Sequence, residues 1–138
     1  KDVVEHANTL KLAAVQLHGN EDEAYIDELR SKLPSNCQIW KAQAIKDSLP
    51  AHVIGVDRHL YDTHSDKQVG GTGKTFDWSV LKDATQPFML AGGLNAGNIQ
   101  NALYQGAHGL DLNSGVELSA GKKCQQKLND AFNSIRKY

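Results

Sequence analysis

The sequence is short of several things, and each shortage narrows what the protein can be. Cysteine is scarce, with 2 in 138 residues. Cys37 and Cys124 lie far apart, so neither a disulfide framework nor a cysteine-rich zinc site is expected. Proline numbers 3 and no low-complexity tract occurs, so nothing reads as a linker and residues 1–138 are expected to form one domain. An excess of one charge is also lacking. Fifteen basic residues against 16 acidic give a formal net charge of -1. That leaves no clustered basic stripe for nucleic acid. No apolar run approaches the ~20 residues of a membrane-spanning helix, and no signal-peptide pattern opens the chain, so a cytoplasmic location is the default. The 6 histidines are scattered, so no metal-binding tract stands out.

What the sequence does have is a rhythm. It opens on Lys1, and Val3, Val4, Ala7 and Leu10 already fall at helical spacing, which reads as an opening inside an element. Leu12 to Leu17 is a short apolar run of strand length. Asn20 then offers a helix N-cap with Glu23 as its capping-box partner. Tyr25, Ile26, Leu29 and Leu33 make an apolar face, and Pro34 stops the helix. Gln38 to Ile45 reads as the next strand, followed by a weakly patterned helical turn at Lys46 to Leu49. Arg58 to Tyr61 reads as a strand, and a polar, Gly-rich loop runs from Thr63 to Thr75. Phe76 to Lys82 reads as a short helix with Phe76, Val80 and Leu81 inward. Pro87 to Leu90 is a strand. Asn95 offers to cap a helix with Ile99, Ala102 and Leu103 inward, closed by Gly106. Gly109 to Leu112 is the last strand. Gly121 to Tyr138 is the last helix, with Leu128, Ala131, Phe132 and Ile135 inward. Strand and helix thus alternate through five units, which predicts an α/β fold with parallel strands joined by helical crossovers.

The chemistry concentrates where strands end: QLHG, LYDT, LAGGL and LDLNSG. In a parallel sheet or barrel all strand C-termini point one way, so His18, Asp62, Gly92, Gly93 and Asp111 are expected to meet at one mouth. Three Gly-rich segments point to an anion: Gly70, Gly71 and Gly73 before a helix, Gly92-Gly93 after a strand, and Ser114-Gly115 after the last strand. Glycine lets backbone N–H groups approach a phosphate closely. Gly73-Lys74-Thr75 echoes the end of a P-loop, but Gln68 stands where the leading glycine would be. Asp62 and Asp111 are either an acid and a base on separate elements or structural aspartates bonding nearby loops. His18 either binds substrate or bonds backbone. Lys41 sits mid-strand, either pointing into a barrel or taking a surface or interface role. Trp40 and Trp78 read as core. Neither cysteine follows a strand, so neither reads as a nucleophile.

Four segments carry a resemblance. VQLHGNE (Val15 to Glu21), YDT with GGTGKTFDW (Tyr61 to Trp78), LAGGLNAGN (Leu90 to Asn98) and GLDLNSGVE (Gly109 to Glu117) resemble the motifs of phosphoribosylanthranilate isomerases, in that family's order. The resemblance implies an α/β fold of a partial (β/α)8 TIM barrel: strands four to eight with their helices, the first three strands absent. It implies an Amadori rearrangement of N-(5-phosphoribosyl)anthranilate in tryptophan biosynthesis, with no cofactor and no metal. Asp62 matches the aspartate that protonates the furanose ring oxygen. His18 and Asp111 match pocket-lining positions. Gly92, Gly93, Ser114 and Gly115 match the phosphate cradle, and the Gly70 to Gly73 loop would close over the mouth. The family's catalytic cysteine and an arginine belong to the absent strands, so the 138 residues alone are expected to be inactive. IWKA (Ile39 to Ala42) and the ending at Tyr138 look most like the version fused behind indole-3-glycerol-phosphate synthase.

Two other readings remain at this point. One is a non-enzymatic phosphate-binding piece. The other is a different ribose-phosphate barrel enzyme, such as a synthase or an aldolase. An aldolase is disfavoured by the lack of a strand-end lysine. Five strands of eight would leave two open edges, so the chain is expected to self-associate.

Overall fold

The computed structural model of the chain describes residues 2–63 and 78–138. The Gly-rich loop with Gly70, Gly71 and Gly73, and Phe76 at the start of the expected short helix, lie outside the described residues. Helix α1 spans Asp2–Leu10 and strand β1 Ala14–Leu17. Helix α2 spans Glu23–Lys32 and strand β2 Gln38–Ala44. Strand β3 is Arg58–Asp62, followed by a 3-10 helix at Trp78–Asp83 and strand β4 at Phe88–Ala91. Helix α3 is Ile99–Tyr104 and strand β5 Gly109–Leu110. A 3-10 turn at Ser114–Val116 leads into strands β6, Glu117–Ser119, and β7, Lys122–Lys123, and helix α4, Gln125–Ile135, closes the chain.

Strands β1 to β5 form one sheet in sequence order, and every neighbouring pair is parallel. All five C-termini therefore reach the same edge. The registers also sort the side chains into two faces, because side chains alternate along a strand and paired residues share a side. One face carries Val15 with Ile39, Leu17 with Lys41 and His59, and Tyr61 with Leu90. The helices cover this face. Ala7 of α1 and Ile26 and Leu29 of α2 pack with Val15, Leu17 and Ile39. Trp78 and Leu81 pack with Tyr61, Phe88 and Leu90. A third cluster joins Ile99 of α3, Val116 and Ala131 of α4. The opposite face carries Gln16, Trp40, Ala42, Leu60 and Met89. There Gln16 is exposed, and Trp40, Ala42 and Met89 are half-buried. Gly109 lets Met89 lie across β5, since a Cβ at Gly109 would meet the Met89 Cε at 2.5 Å.

Several local expectations need correction. The cap of α2 is Asp22, whose side chain accepts from the Tyr25 N–H at 2.9 Å. Asn20 loses that role because Asp22 stands directly before the first helical residue. Asn95 does not cap α3 with its side chain either; Asn98 holds the cap position, and Asn95 Oδ1 accepts from the Gly97 N–H at 2.9 Å. No helical turn forms at 46–49, so the chain passes from β2 to β3 through bends and coil. Gly121 to Lys123, expected to open the last helix, instead contains β7, which pairs antiparallel with β6 just before it. Tyr25 and Phe132, expected inward, are 42% and 51% exposed. Gly106 does close α3, with φ of +84° and its N–H on the Leu103 carbonyl.

Lys41 lies on the helix-covered face, in register with Leu17, and so does not point toward the uncovered face. Trp78 is core, as expected, at 6% exposure. Cys37 is buried beside Ile39 and Leu33, and Cys124 precedes α4; both are free thiols.

Candidate active site

The site begins with a junction between β3 and β4. Asp62, the last residue of β3, lies in register with Ala91, the last residue of β4. Thr63 follows and is 2% exposed. Its N–H donates to the Ala91 carbonyl at 3.1 Å, and its hydroxyl lies 3.1 Å from both the Ala91 and the Gly92 carbonyls. A buried hydroxyl with these partners ties the two strand ends together, which fixes where the Asp62 backbone sits.

Beyond β4 the chain turns through two left-handed residues, Gly92 at φ +89° and Gly93 at φ +63°. A side chain in that region costs about 1–2 kcal/mol, so glycine is the residue that makes this turn without strain. The turn is anchored on one atom. The Gly93 carbonyl accepts from Asn95 Nδ2 at 3.2 Å and Asn98 Nδ2 at 3.0 Å. Asn98 Oδ1 in turn accepts from the Asn95 N–H at 2.8 Å. The two asparagines therefore hold the Gly-Gly turn rather than simply starting α3.

From β5, the Asp111 N–H donates to the Leu90 carbonyl at 2.8 Å and sets Asp111 beside the end of β4. The next loop packs directly on the Gly-Gly turn. A Cβ at Gly115 would come within 1.8 Å of the Leu94 carbonyl oxygen, so the two loops meet backbone to backbone. Lys123 braces this loop from the β6–β7 pair, donating to Asn113 Oδ1 at 2.7 Å and Glu117 Oε1 at 2.8 Å. That lysine's hydrogen bond holds the Glu117 carboxyl below the usual carboxylate range.

Together these elements enclose a cavity of about 390 Å³ lined by Asp62, Ala91, Gly92, Gly93, Leu94, Asp111, Asn113, Ser114 and Gly115. Its volume falls in the range of small-molecule sites. The structure brings Asp62, Asp111, Gly92, Gly93, Ser114 and Gly115 together, as the strand-end rule anticipates. It does not bring His18 to this cavity. His18 is exposed after β1, on the same edge of the sheet, with β2 standing between β1 and β3. Among the described residues, no three His, Cys, Asp or Glu side chains gather in a way that could hold a metal ion. No helix there is long and apolar enough to cross a membrane.

Sequence reasoning missed Thr63, Asn98 and Lys123. Thr63 carried a signal, since it directly follows the strand-end aspartate, but a threonine in that place reads as ordinary loop. Of the paired asparagines of NAGN, Asn95 was legible only as a cap candidate and Asn98 not at all. Lys123 sits in a polar run, Gly121 to Lys123, with no pattern to connect it to Asn113.

Comparison with known proteins identifies a family. The family model described as N-(5'phosphoribosyl)anthranilate (PRA) isomerase matches residues 1–134. The "Tryptophan biosynthesis protein TrpCF" of Vibrio parahaemolyticus is 50% identical over 131 residues, which are 94% of this chain and 27% of that protein. Its counterpart of the same description in Haemophilus influenzae is 48% identical over 139 residues, 96% of this chain and 29% of that protein. The chain thus spans less than a third of the length of these curated relatives. Among solved structures, the phosphoribosyl anthranilate isomerase of Thermotoga maritima superposes with a TM-score of 0.76 at 26% identity, covering 99% of this chain and 68% of that one.

Proposed function

Because this chain belongs to the N-(5'-phosphoribosyl)anthranilate isomerase family, we propose that it supplies the acid and the phosphate cradle of that isomerase's active site. The five parallel strands would be strands four to eight of a (β/α)8 barrel, with β3 as strand six. The reaction would convert N-(5-phosphoribosyl)anthranilate to 1-(2-carboxyphenylamino)-1-deoxyribulose 5-phosphate, a step of tryptophan biosynthesis carried out in the cytoplasm.

The observation that carries this reading is the shared cavity of Asp62 with the glycines of two loops. The substrate offers a dianionic phosphate at one end, the anthranilate at the other, and the furanose ring oxygen between them. Gly92-Gly93 and Ser114-Gly115 would take the phosphate, because backbone without Cβ atoms can come close to it. Asp62 would then face the furanose ring. It gives its proton to the ring oxygen as the C1–O bond breaks, and the anilino nitrogen's lone pair forms the iminium. That cation makes the C2 proton acidic. A base removes it, the electrons move onto C1–C2, and the resulting enolamine tautomerises to the ketone. Proton transfer of this kind contributes about 10²–10⁴-fold. Asp111 would contact the substrate from the β5 side, and His18 from the end of β1.

By resemblance the base would be a cysteine on an upstream strand, with an indole-3-glycerol-phosphate synthase domain fused ahead of it. The test compares the full-length gene product with the 138-residue chain, both assayed on N-(5-phosphoribosyl)anthranilate. The full-length protein is expected to turn it over and the chain alone is not. Phosphate binding by the full-length protein without any isomerisation would replace this reading with a phosphate-binding module.

A further inference from the structure

Lys41 is a charged residue in an apolar place. It lies in the middle of β2 on the helix-covered face and is 4% exposed. An ammonium there costs several kcal/mol unless it is paired and hydrogen-bonded. Both of its partners lie in the loop that follows His18. Its Nζ donates to the Gly19 carbonyl at 2.8 Å and forms an ion pair with the Glu21 carboxylate.

Glu21 completes the arrangement. Its other carboxylate oxygen accepts from the Gly19 N–H at 3.2 Å. Gly19 is thus held at both of its peptide groups, the N–H by Glu21 and the carbonyl by Lys41. The Gly19 N–H belongs to the peptide bond that leaves His18, so fixing it fixes the backbone direction at His18. A Cβ at Gly19 would come within 3.0 Å of that same carboxylate oxygen, so glycine suits the close approach. Burial pushes the Glu21 carboxyl up, but the bonds from Lys41 and the Gly19 N–H outweigh it and leave it below the ordinary range. The start of α2 does not need this clamp, because Asp22 caps it independently. An apolar residue at position 41 would also fill the core without burying a charge. What the lysine adds is a tie from β2 to the residue after His18.

We propose that Lys41, acting through Glu21 and the two peptide groups of Gly19, is a positioning residue that sets His18 for the substrate; this rests on the reading of His18 as a substrate contact. The test uses the full-length protein and steady-state kinetics with N-(5-phosphoribosyl)anthranilate. His18→Ala, Glu21→Gln and Lys41→Met are compared singly, and each clamp variant is also combined with His18→Ala, with thermal midpoints for all. Glu21→Gln keeps the shape and guards against a Lys41 variant that fails to fold. The single clamp variants are expected to raise KM about 10-fold with kcat within about 3-fold. Added to His18→Ala they are expected to raise KM no further, because the clamp acts only through that side chain. Effects on KM that multiply with that of His18→Ala would overturn the proposal, as would a lowered midpoint with KM unchanged. His18→Ala with the parent KM would overturn it together with the role of His18. Loss of turnover in Asp62→Asn would still leave the proposed reaction standing.

Discussion

Gly115 shows how tightly single residues are bound to the cavity's shape. Its missing Cβ leaves room for the Leu94 carbonyl oxygen, which a methyl group would meet at 1.8 Å. Gly115→Ala must therefore push the two glycine loops apart. We expect the full-length variant to fold, with KM for the phosphorylated substrate raised about 10-fold or more and inorganic phosphate binding weakened in step; unchanged phosphate affinity would count against the cradle. His59 offers a different residue-scale test. It is 2% exposed; its Nδ1 lies 2.9 Å from Gln43 Oε1, and its Nε2 has no hydrogen-bond partner among the described residues. Burial, and to a smaller extent the neighbouring His52, hold its pKa below the ordinary 6.5. A depressed histidine gives stability that is complete above the unfolded value and is lost as pH falls below about 6.5, because the unfolded chain takes up the proton first. Thermal midpoints are expected to decline from pH 7.5 to 5, and His59→Phe is expected to flatten that decline. Equal slopes for the two proteins would contradict this.

Among the elements, the connection from β2 to β3 stands out because it runs without a helix. Arg30 of α2 stands in for some of the missing packing. It donates to the Cys37 carbonyl at 3.0 Å and the Gly55 carbonyl at 3.2 Å, and it pairs with Asp57. Asp57 also accepts from the Ile39 N–H at 2.7 Å. Burial raises the Asp57 carboxyl, but Arg30 and the Ile39 N–H outweigh it and hold it below the ordinary 3.8. Arg30→Ala is expected to cost about 1–2 kcal/mol and several degrees of thermal midpoint, read by calorimetry. This connection was also where the sequence was least legible. Apolar runs such as Leu12 to Leu17 announce strands because a buried strand needs little else. A connection built on one arginine and backbone carbonyls leaves no periodicity to read. The β6–β7 pair escaped for a similar reason, since strands of three and two residues carry too few positions for an alternating pattern. The site was legible where it depends on chain direction: Asp62, Gly92, Asp111 and Ser114 each follow or end a parallel strand. Lateral distance was not legible. The same rule put His18 on the strand-end edge, where it lies, but it does not say that β1 stands two strands from β3. Caps divided likewise. Asn20 and Asn95 are chemically as able as Asp22 and Asn98, and only the position where each helix starts decides between them.

At the scale of the whole molecule, a five-stranded parallel sheet has one face under helices and the other only half covered, with β1 and β5 as its edges. Unpaired strand edges invite pairing with another chain. We expect the isolated 138-residue chain to self-associate in analytical ultracentrifugation, and a stable monomer would contradict that. On the proposed reading, the same edges and face would be met in the full-length protein by the rest of the barrel, and the cavity around Asp62 would become the floor of a complete site. The most direct measurement is the kcat of full-length Asp62→Asn on N-(5-phosphoribosyl)anthranilate, since asparagine keeps the shape and removes the proton to be donated. A fall of about 10²–10⁴-fold with KM nearly unchanged is the predicted result. A kcat within about 3-fold of the parent would contradict the account.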